Sequence, residues 1–161
     1  MGVGKTSVGR QLAGLLHRPF VDVDAEIESR CGADIQWIFD MEGEAGFRKR
    51  ETKVLSDIVA SSASSVIATG GGVVMTKENR KILQSSGQVI YLSVSKEQLY
   101  ERMRRDKSRP LLQVENREQV IDDLIELRDP LYREIADMVF AAEAGSAHRV
   151  AKVLLDELSK H

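Results

Sequence analysis

A glycine-rich loop next to a lysine and a hydroxyl constrains this chain more than any other part of its sequence. Gly2, Gly4, Lys5 and Thr6 match the second half of the pattern GxxxxGK[ST], whose leading glycine would lie before Met1. Such a loop lets successive backbone N–H groups surround phosphate oxygens, while its lysine adds positive charge and its hydroxyl binds Mg²⁺. The loop therefore predicts a nucleotide-phosphate site at the start of the chain.

Length and charge bound the remaining possibilities. The 161 residues are enough for one domain, 1–161, with its own core. The 23 basic and 25 acidic residues nearly balance, so no general attraction to nucleic acid or to an anionic membrane is expected. Cys31 is the only cysteine, which excludes an internal disulfide and fits a reducing compartment. We expect a cytoplasmic monomer without nucleic-acid or membrane partners.

Helical and strand-like patterns alternate along the chain. The apolar spacing from Thr6 to Leu16 predicts a helix that starts directly on the glycine loop, where its N-terminus favours phosphate. Short apolar runs predict strands at 20–23, 66–68, 89–94 and 138–141, with helices between them. Such alternation predicts an α/β fold, a parallel sheet with helices on both faces. Pro130 is predicted to interrupt the helix that runs to Arg128.

Two carboxylates lie at the C-terminal end of the first predicted strand. Asp22 breaks the apolar run 20–23 and Asp24 closes it, so the strand would deliver both side chains at that end. Each has a simpler alternative: Asp22 could cap a helix or a turn, and Asp24 could cap a helix that starts at Ala25.

Five motifs occur in a fixed order. They are the glycine loop, the Asp22-x-Asp24 pair, the FRxxE of Phe47, Arg48 and Glu51, the triplet Gly70, Gly71 and Gly72, and the RPLL of Arg109 to Leu112, followed by Leu127, Arg128, Pro130, Leu131 and Tyr132. This ordered set resembles shikimate kinase over essentially the whole chain, and the segment 32–51 is similar to the bacterial enzymes. The resemblance implies a P-loop NTPase-type fold similar to nucleoside monophosphate kinases, with a substrate-binding helical region at about 25–59 and a lid at about 105–116.

The resemblance also implies an activity. Shikimate kinases transfer the γ-phosphoryl group of ATP to the 3-hydroxyl of shikimate, with Mg²⁺, on the route to chorismate and the aromatic amino acids. By this resemblance the nucleotide site would comprise Gly2, Val3, Gly4, Lys5, Thr6, Ser7, Arg102 and Arg109. Thr6 and Asp22 would hold the metal.

The acceptor site implied by the resemblance consists of Asp24, Arg48, Gly71 and Arg128. Lys5, Asp24 and Arg109 would carry the catalysis, with Asp24 as the base or orienting group and Arg109 in the lid. Two guanidinium groups suit a carboxylate ligand because each can bind it bidentately, and Glu51, three residues after Arg48, can hold that arginine by an ion pair. From spacing alone, Arg102 and Arg128 could equally be surface arginines.

Two other functions stay open from the sequence. One is another small P-loop kinase, acting on gluconate or on a nucleoside monophosphate. The other is a non-catalytic nucleotide-binding relic, a hypothesis motivated by the incomplete loop.

A central strand is expected before the loop in this architecture. Its loss would remove roughly five buried apolar side chains, on the order of 10 kcal/mol in total. That is comparable with the whole stability of a domain. We therefore expect the 161-residue chain to be poorly stable and weakly active, and the natural enzyme to begin earlier.

Overall fold

The computed structural model describes residues 4–61, 63–105, 116–142 and 145–160, apart from the side chain of Met103. Within these residues the chain forms the α-helices α1 (Lys5–Leu16), α2 (Val23–Cys31), α3 (Ile35–Ala60), α4 (Lys77–Ser86), α5 (Lys96–Arg105), α6 (Arg117–Ile135) and α7 (Ala147–Leu158). One 3₁₀ turn, Val73–Met75, precedes α4. None of these helices is long and apolar enough to cross a membrane.

The strands are short and parallel. They are β1 (Phe20–Asp22), β2 (Val66–Ala68), β3 (Ile90–Ser93) and β4 (Met138–Ala141). β1 pairs with β2, and β3 pairs with β4, in two separate two-stranded sheets among the described residues. Parallel strands joined by helices confirm the predicted fold class, but β2 and β3 are not paired with each other.

Local capping sets the helix starts. Asp34 precedes α3 and accepts a hydrogen bond from the N–H of Trp37 at 2.8 Å, as its position in the sequence predicts. Asp22 caps α2 by accepting from the N–H of Ala25 at 3.0 Å. The first strand is therefore one residue shorter than predicted, because Val23 already belongs to the helix. The alternative in which Asp24 caps a helix beginning at Ala25 is wrong, since Asp24 lies in the first turn.

Pro130 does not end its helix, so the predicted interruption is wrong. α6 runs from Arg117 to Ile135 through the proline. Residues on the far side of it, among them Leu131, Tyr132 and Ile135, pack against a hydrophobic cluster. Burial of these side chains outweighs the hydrogen bond that proline cannot donate.

Two hydrophobic clusters lie on opposite faces of β2. Val66 packs with α1 and α7 around Leu12 and Leu154. Ile67, the next residue, packs with a cluster from α2, α3 and the 3₁₀ turn that includes Leu55. Consecutive strand residues point to opposite faces, so helices cover both sides of the strands. The candidate residues Lys5, Asp22 and Asp24 lie at or next to the ends of these helices and strands.

Candidate active site

Gly4, the described end of the glycine loop, leads into α1 with a backbone geometry that suits a phosphate site. Gly4 has a φ of 75°, a left-handed conformation that glycine adopts without strain, and α1 begins at the next residue, Lys5. The first N–H groups of this helix have no intrahelical acceptor and favour an anion. Thr6 and Ser7 are exposed in this first turn.

Thr6 and Asp22 form one pair. The Thr6 hydroxyl donates to Asp22 Oδ2 at 2.7 Å, across 16 residues of sequence. The other carboxylate oxygen, Oδ1, accepts from the N–H of Ala25, so Asp22 is both the cap of α2 and the neighbour of the loop hydroxyl. The two interpretations of Asp22 are therefore compatible.

Arg102 lies close to the loop. A Cβ built on Gly4 would stand 3.9 Å from Arg102 Nη1. The last turn of α5 thus brings a guanidinium group to the N-terminus of α1. Gly2, Val3 and Arg109, and residues 106–115 of the predicted lid, lie outside the described residues.

The glycine triplet leaves room for two functional side chains. A Cβ on Gly70 would lie 2.8 Å from Asp24 Oδ1, and one on Gly72 would lie 2.7 Å from the guanidinium carbon of Arg48. Real Cβ atoms do not approach so closely. The backbone after β2 therefore meets both Asp24 and Arg48 because these positions are glycine.

Arg48 is held by two carboxylates. Its Nη1 lies 3.0 Å from Glu51 Oε1, and its Nη2 lies 3.3 Å from Glu44 Oε1. Glu51 is fully buried, and burial raises the pKa of its carboxyl, while Arg48 opposes that shift. The pair fixes the guanidinium, as the spacing of Arg48 and Glu51 predicts.

Asn79 supports this ion pair and was not identified from the sequence. Its fully buried side-chain amide lies 3.4 Å from Glu51 Oε1 and donates to the carbonyl of Val73 at 3.1 Å. A signal was present: Asn79 precedes Ile82 and Leu83 by three and four positions, which puts it on the apolar face of α4.

Arg128 is buried in the same site, so the surface alternative is wrong for it. Only 5% of the residue is exposed, and burial is the main cause that lowers the pKa of its guanidinium. Arg48 and Glu51 also influence this pKa electrostatically, which indicates that they lie nearby. The buried Nε atoms of Arg128 and Arg48 have no hydrogen-bond partner among the described residues.

Tyr132 ties Gly71 to α6. Its hydroxyl donates to the carbonyl of Gly71, and burial raises the pKa of that hydroxyl to about 12. The ring stacks on Tyr91, with centroids 4.6 Å apart. The Tyr91 hydroxyl in turn donates to Asp129 at 2.8 Å. The sequence motif contains Tyr132, but its partner could not be identified without the fold.

The arrangement has two ends, joined by one short segment. Asp22 contacts Thr6 at the phosphate end, and Asp24, two residues later, lies against Gly70 of the glycine triplet, whose Gly72 meets Arg48. One end suits an anion with an oxygen-ligated metal ion, and the other suits a carboxylate beside an acceptor hydroxyl. The described residues hold no group of three or more histidine, cysteine or carboxylate side chains that could bind a metal without help from a substrate.

Comparison with known proteins gives a consistent answer. The family model described as shikimate kinase matches residues 1–159. A shikimate kinase of Pseudomonas paraeruginosa is 52% identical over 160 residues, which are 99% of this chain and 92% of the relative. That of Pasteurella multocida is 52% identical over 157 residues, 97% of this chain and 89% of the relative.

Solved structures agree with the sequence comparison. Shikimate kinase from Acinetobacter baumannii in complex with shikimate superposes with a TM-score of 0.96 at 49% identity, covering 99% of this chain and 89% of that one. The enzyme from Aquifex aeolicus superposes with a TM-score of 0.85 at 35% identity, covering 99% and 92%.

Proposed function

Because this chain belongs to the shikimate kinase family, we propose that it transfers the γ-phosphoryl group of ATP to the 3-hydroxyl of shikimate. The products are shikimate 3-phosphate and ADP, on the route to chorismate and the aromatic amino acids. The observation that carries this proposal is a pair of guanidinium groups whose buried Nε atoms have no partner among the described residues, Arg48 and Arg128, with Arg48 against the same glycine triplet that Asp24 meets. It is a site for a small acid that carries a hydroxyl.

Arg48 and Arg128 bind the acceptor carboxylate. Their buried Nε groups each need an acceptor, and a buried donor without one costs about 1–3 kcal/mol. A carboxylate offers two oxygens and compensates both the missing hydrogen bonds and the surplus positive charge. The acceptor itself thus completes the site, and the backbone of Gly71, held by Tyr132, contacts it from the side of the triplet.

Asp24 orients the acceptor hydroxyl and takes its proton. The hydroxyl oxygen attacks the γ-phosphorus, and the bond from phosphorus to the β-phosphate bridging oxygen breaks. The electron pair of that bond leaves with ADP, and the hydroxyl proton passes to the Asp24 carboxylate. One new P–O bond replaces the one that is lost.

The nucleotide binds at the N-terminus of α1. Gly2, Val3, Gly4 and Ser7 supply backbone donors, and Lys5 neutralises the transferring phosphoryl group. Arg102, close to Gly4, contacts the nucleotide at the end of α5. Arg109, in the proposed lid at 105–116, stabilises the charge that develops on the phosphates.

Mg²⁺ fits the Thr6 and Asp22 pair. A hydroxyl and a carboxylate oxygen 2.7 Å apart are hard ligands of the kind that Mg²⁺ takes in small number, with water and phosphate completing its shell. Thr6 would bind the ion directly, and Asp22 through water. When bound, the ion neutralises phosphate charge.

We also propose that the protein is a single kinase domain, with residues 25–59 on the acceptor side, and that it acts as a cytoplasmic monomer.

A coupled assay for ADP tests the function. With ATP and Mg²⁺, we expect turnover that depends on shikimate and none with gluconate or a nucleoside monophosphate. Asp24→Asn should lower kcat by about 10²–10⁴-fold, the usual contribution of a general base. Glu26→Gln, a change to a partly exposed carboxylate of the same helix that pairs with Arg30, is the matched control. ATP binding without shikimate-dependent turnover would instead favour the relic.

A further inference from the structure

Only one of the two carboxylates beside Arg48 is fixed in place. Glu51 is fully buried and lies 3.0 Å from Nη1, whereas the side chain of Glu44 is 54% exposed and lies 3.3 Å from Nη2. An ion pair with an exposed carboxylate is weak, because water and other ligands compete for both partners. Glu44 can therefore leave Arg48 by a change of side-chain rotamer, and Glu51 cannot.

The backbone places Glu44 at the start of a helical stretch. Gly43 interrupts α3 directly before it, with φ 71° and ψ 179°, a conformation that glycine adopts without strain. Arg48 follows Glu44 by four residues, so the two side chains share one face of the helix. The carboxylate of Glu44 thus meets Arg48 from the end of the stretch that begins after Gly43.

Glu44 lies at the nitrogen of Arg48 that faces the glycine triplet. Nη2 is the atom that a Cβ built on Gly72 would approach most closely, and Gly70 of the same triplet meets Asp24. Nη2 also shares one edge of the planar guanidinium with Nε, which is buried and has no partner among the described residues. A ligand carboxylate that binds this edge bidentately needs both nitrogens. Glu44 occupies half of the edge that such a ligand would use.

Glu44 also lies near the second guanidinium. Burial lowers the pKa of Arg128, and Glu44 and Glu51 are carboxylates that oppose this shift. Asp24 lies close by as well, since its charge adds to the effect of burial in raising the pKa of Glu51. The two arginines thus face three carboxylates, and an acceptor carboxylate would be a fourth. Like charges at this range repel, so a bound acid displaces the most exposed of the three, Glu44.

We propose that Glu44 is a placeholder for the acceptor carboxylate: it occupies Nη2 of Arg48 in the free protein and leaves when a carboxylate ligand binds Nη2 and Nε. The inference rests on the proposed acceptor site. Glu44 compensates the charge of Arg48 while the site is empty, and it lowers the affinity of every acid that binds there. An anion that contacts Arg48 alone is excluded, whereas an acid that also contacts Asp24 and Gly71 binds. Glu44 therefore determines specificity and takes no part in phosphoryl transfer.

Calorimetric titration of shikimate into the nucleotide-free protein tests the placeholder. Glu44→Gln should bind shikimate about 2–10-fold more tightly than the wild type, because the change removes both a competing ion pair and a like charge. Glu44→Ala also removes the side-chain oxygen that glutamine keeps, so it should bind shikimate at least as tightly as Glu44→Gln. The methyl ester of shikimate has no carboxylate, and its affinity should change by less than about twofold in either variant.

Glu42→Gln is the matched control. Glu42 lies on the other side of Gly43 and pairs with Arg50 at 2.8 Å, so the same change there removes an ion pair that does not involve Arg48. Its affinity for shikimate should equal that of the wild type. In the ADP assay, Glu44→Gln should lower the KM for shikimate and leave kcat and the KM for ATP unchanged. A merely structural role for Glu44 would not produce this split.

Three results would overturn the placeholder and leave the kinase function standing. One is shikimate binding by both Glu44 variants that is no tighter than in the wild type, which would mean that Glu44 holds Arg48 in place for the ligand. Another is an equal gain in affinity for the methyl ester, since the gain would then not depend on the ligand carboxylate. The third is loss of the folded state in Glu44→Gln but not in Glu42→Gln. If the wild type itself binds no shikimate, the proposed acceptor site is wrong, and the placeholder with it.

Discussion

At the residue scale, the shape of the buried Arg128 side chain matters as much as its charge. Arg128 is 5% exposed. A ligand that accepts hydrogen bonds from the N–H groups of its planar guanidinium offsets the free-energy cost of burying that charge. Lysine retains the charge but offers neither these N–H groups nor the planar shape. Arginine and lysine are therefore not interchangeable at position 128, although they would be at a surface position.

Arg128→Lys should raise the KM for shikimate by about 10–100-fold, the equivalent of losing one charge-assisted hydrogen bond of roughly 1.5–3 kcal/mol. The KM for ATP should change little, since Arg128 belongs to the acceptor end. Steady-state kinetics with each substrate varied in turn would measure this. Arg133→Lys, an exposed arginine on the same helix paired with Asp129, is the control. Equal effects of the two variants would contradict an acceptor role.

Glu51 predicts a particular pH dependence of stability. Burial raises the pKa of its carboxyl in the folded protein above the ordinary value of 4.5. The folded state therefore holds the proton more tightly, and the resulting stability is fully present below pH 4.5 and lost as the pH rises through the raised pKa. Glu51→Gln has no proton to lose at this position.

The difference in unfolding free energy, wild type minus Glu51→Gln, should therefore fall as the pH rises from 4.5 through the raised pKa. Urea titrations of both proteins between pH 4 and pH 8 would measure it. Glu134→Gln, at an exposed position on α6, should leave the difference flat. If the stability of the wild type relative to Glu51→Gln instead grew with pH, the Arg48 ion pair and not burial would determine the pKa of the Glu51 carboxyl.

At the element scale, helix and strand boundaries could be predicted where residues close in sequence determine them. Asp34 and the apolar spacing after it define the start of α3 without any tertiary knowledge. The predicted end of β1 is one residue too late because the Asp22 side chain caps α2, which begins at Val23. The predicted interruption at Pro130 is wrong because the burial that keeps α6 continuous involves residues distant in sequence.

Pro130→Ala should therefore stabilise the protein. Pro130 is exposed, so removal of its ring loses little burial, and the new N–H can donate to the carbonyl of Glu126. Proline costs up to about 3 kcal/mol relative to alanine inside a helix. We expect a gain of about 1–3 kcal/mol in denaturant unfolding. Glu126→Ala, exposed in the same helix, should change stability by less than about 0.5 kcal/mol. A loss of stability in Pro130→Ala would show that the ring has a packing role.

At the scale of the whole molecule, the motifs identified the site residues but not the side chains that hold them in place. Asp24 and Arg48 are separated by 24 positions, and their ordered motifs were enough to propose a shared site. Asn79 and the link from Tyr132 to Gly71 depend on how α4 and α6 pack, which no local pattern encodes. The low stability expected of the 161-residue chain stays a prediction.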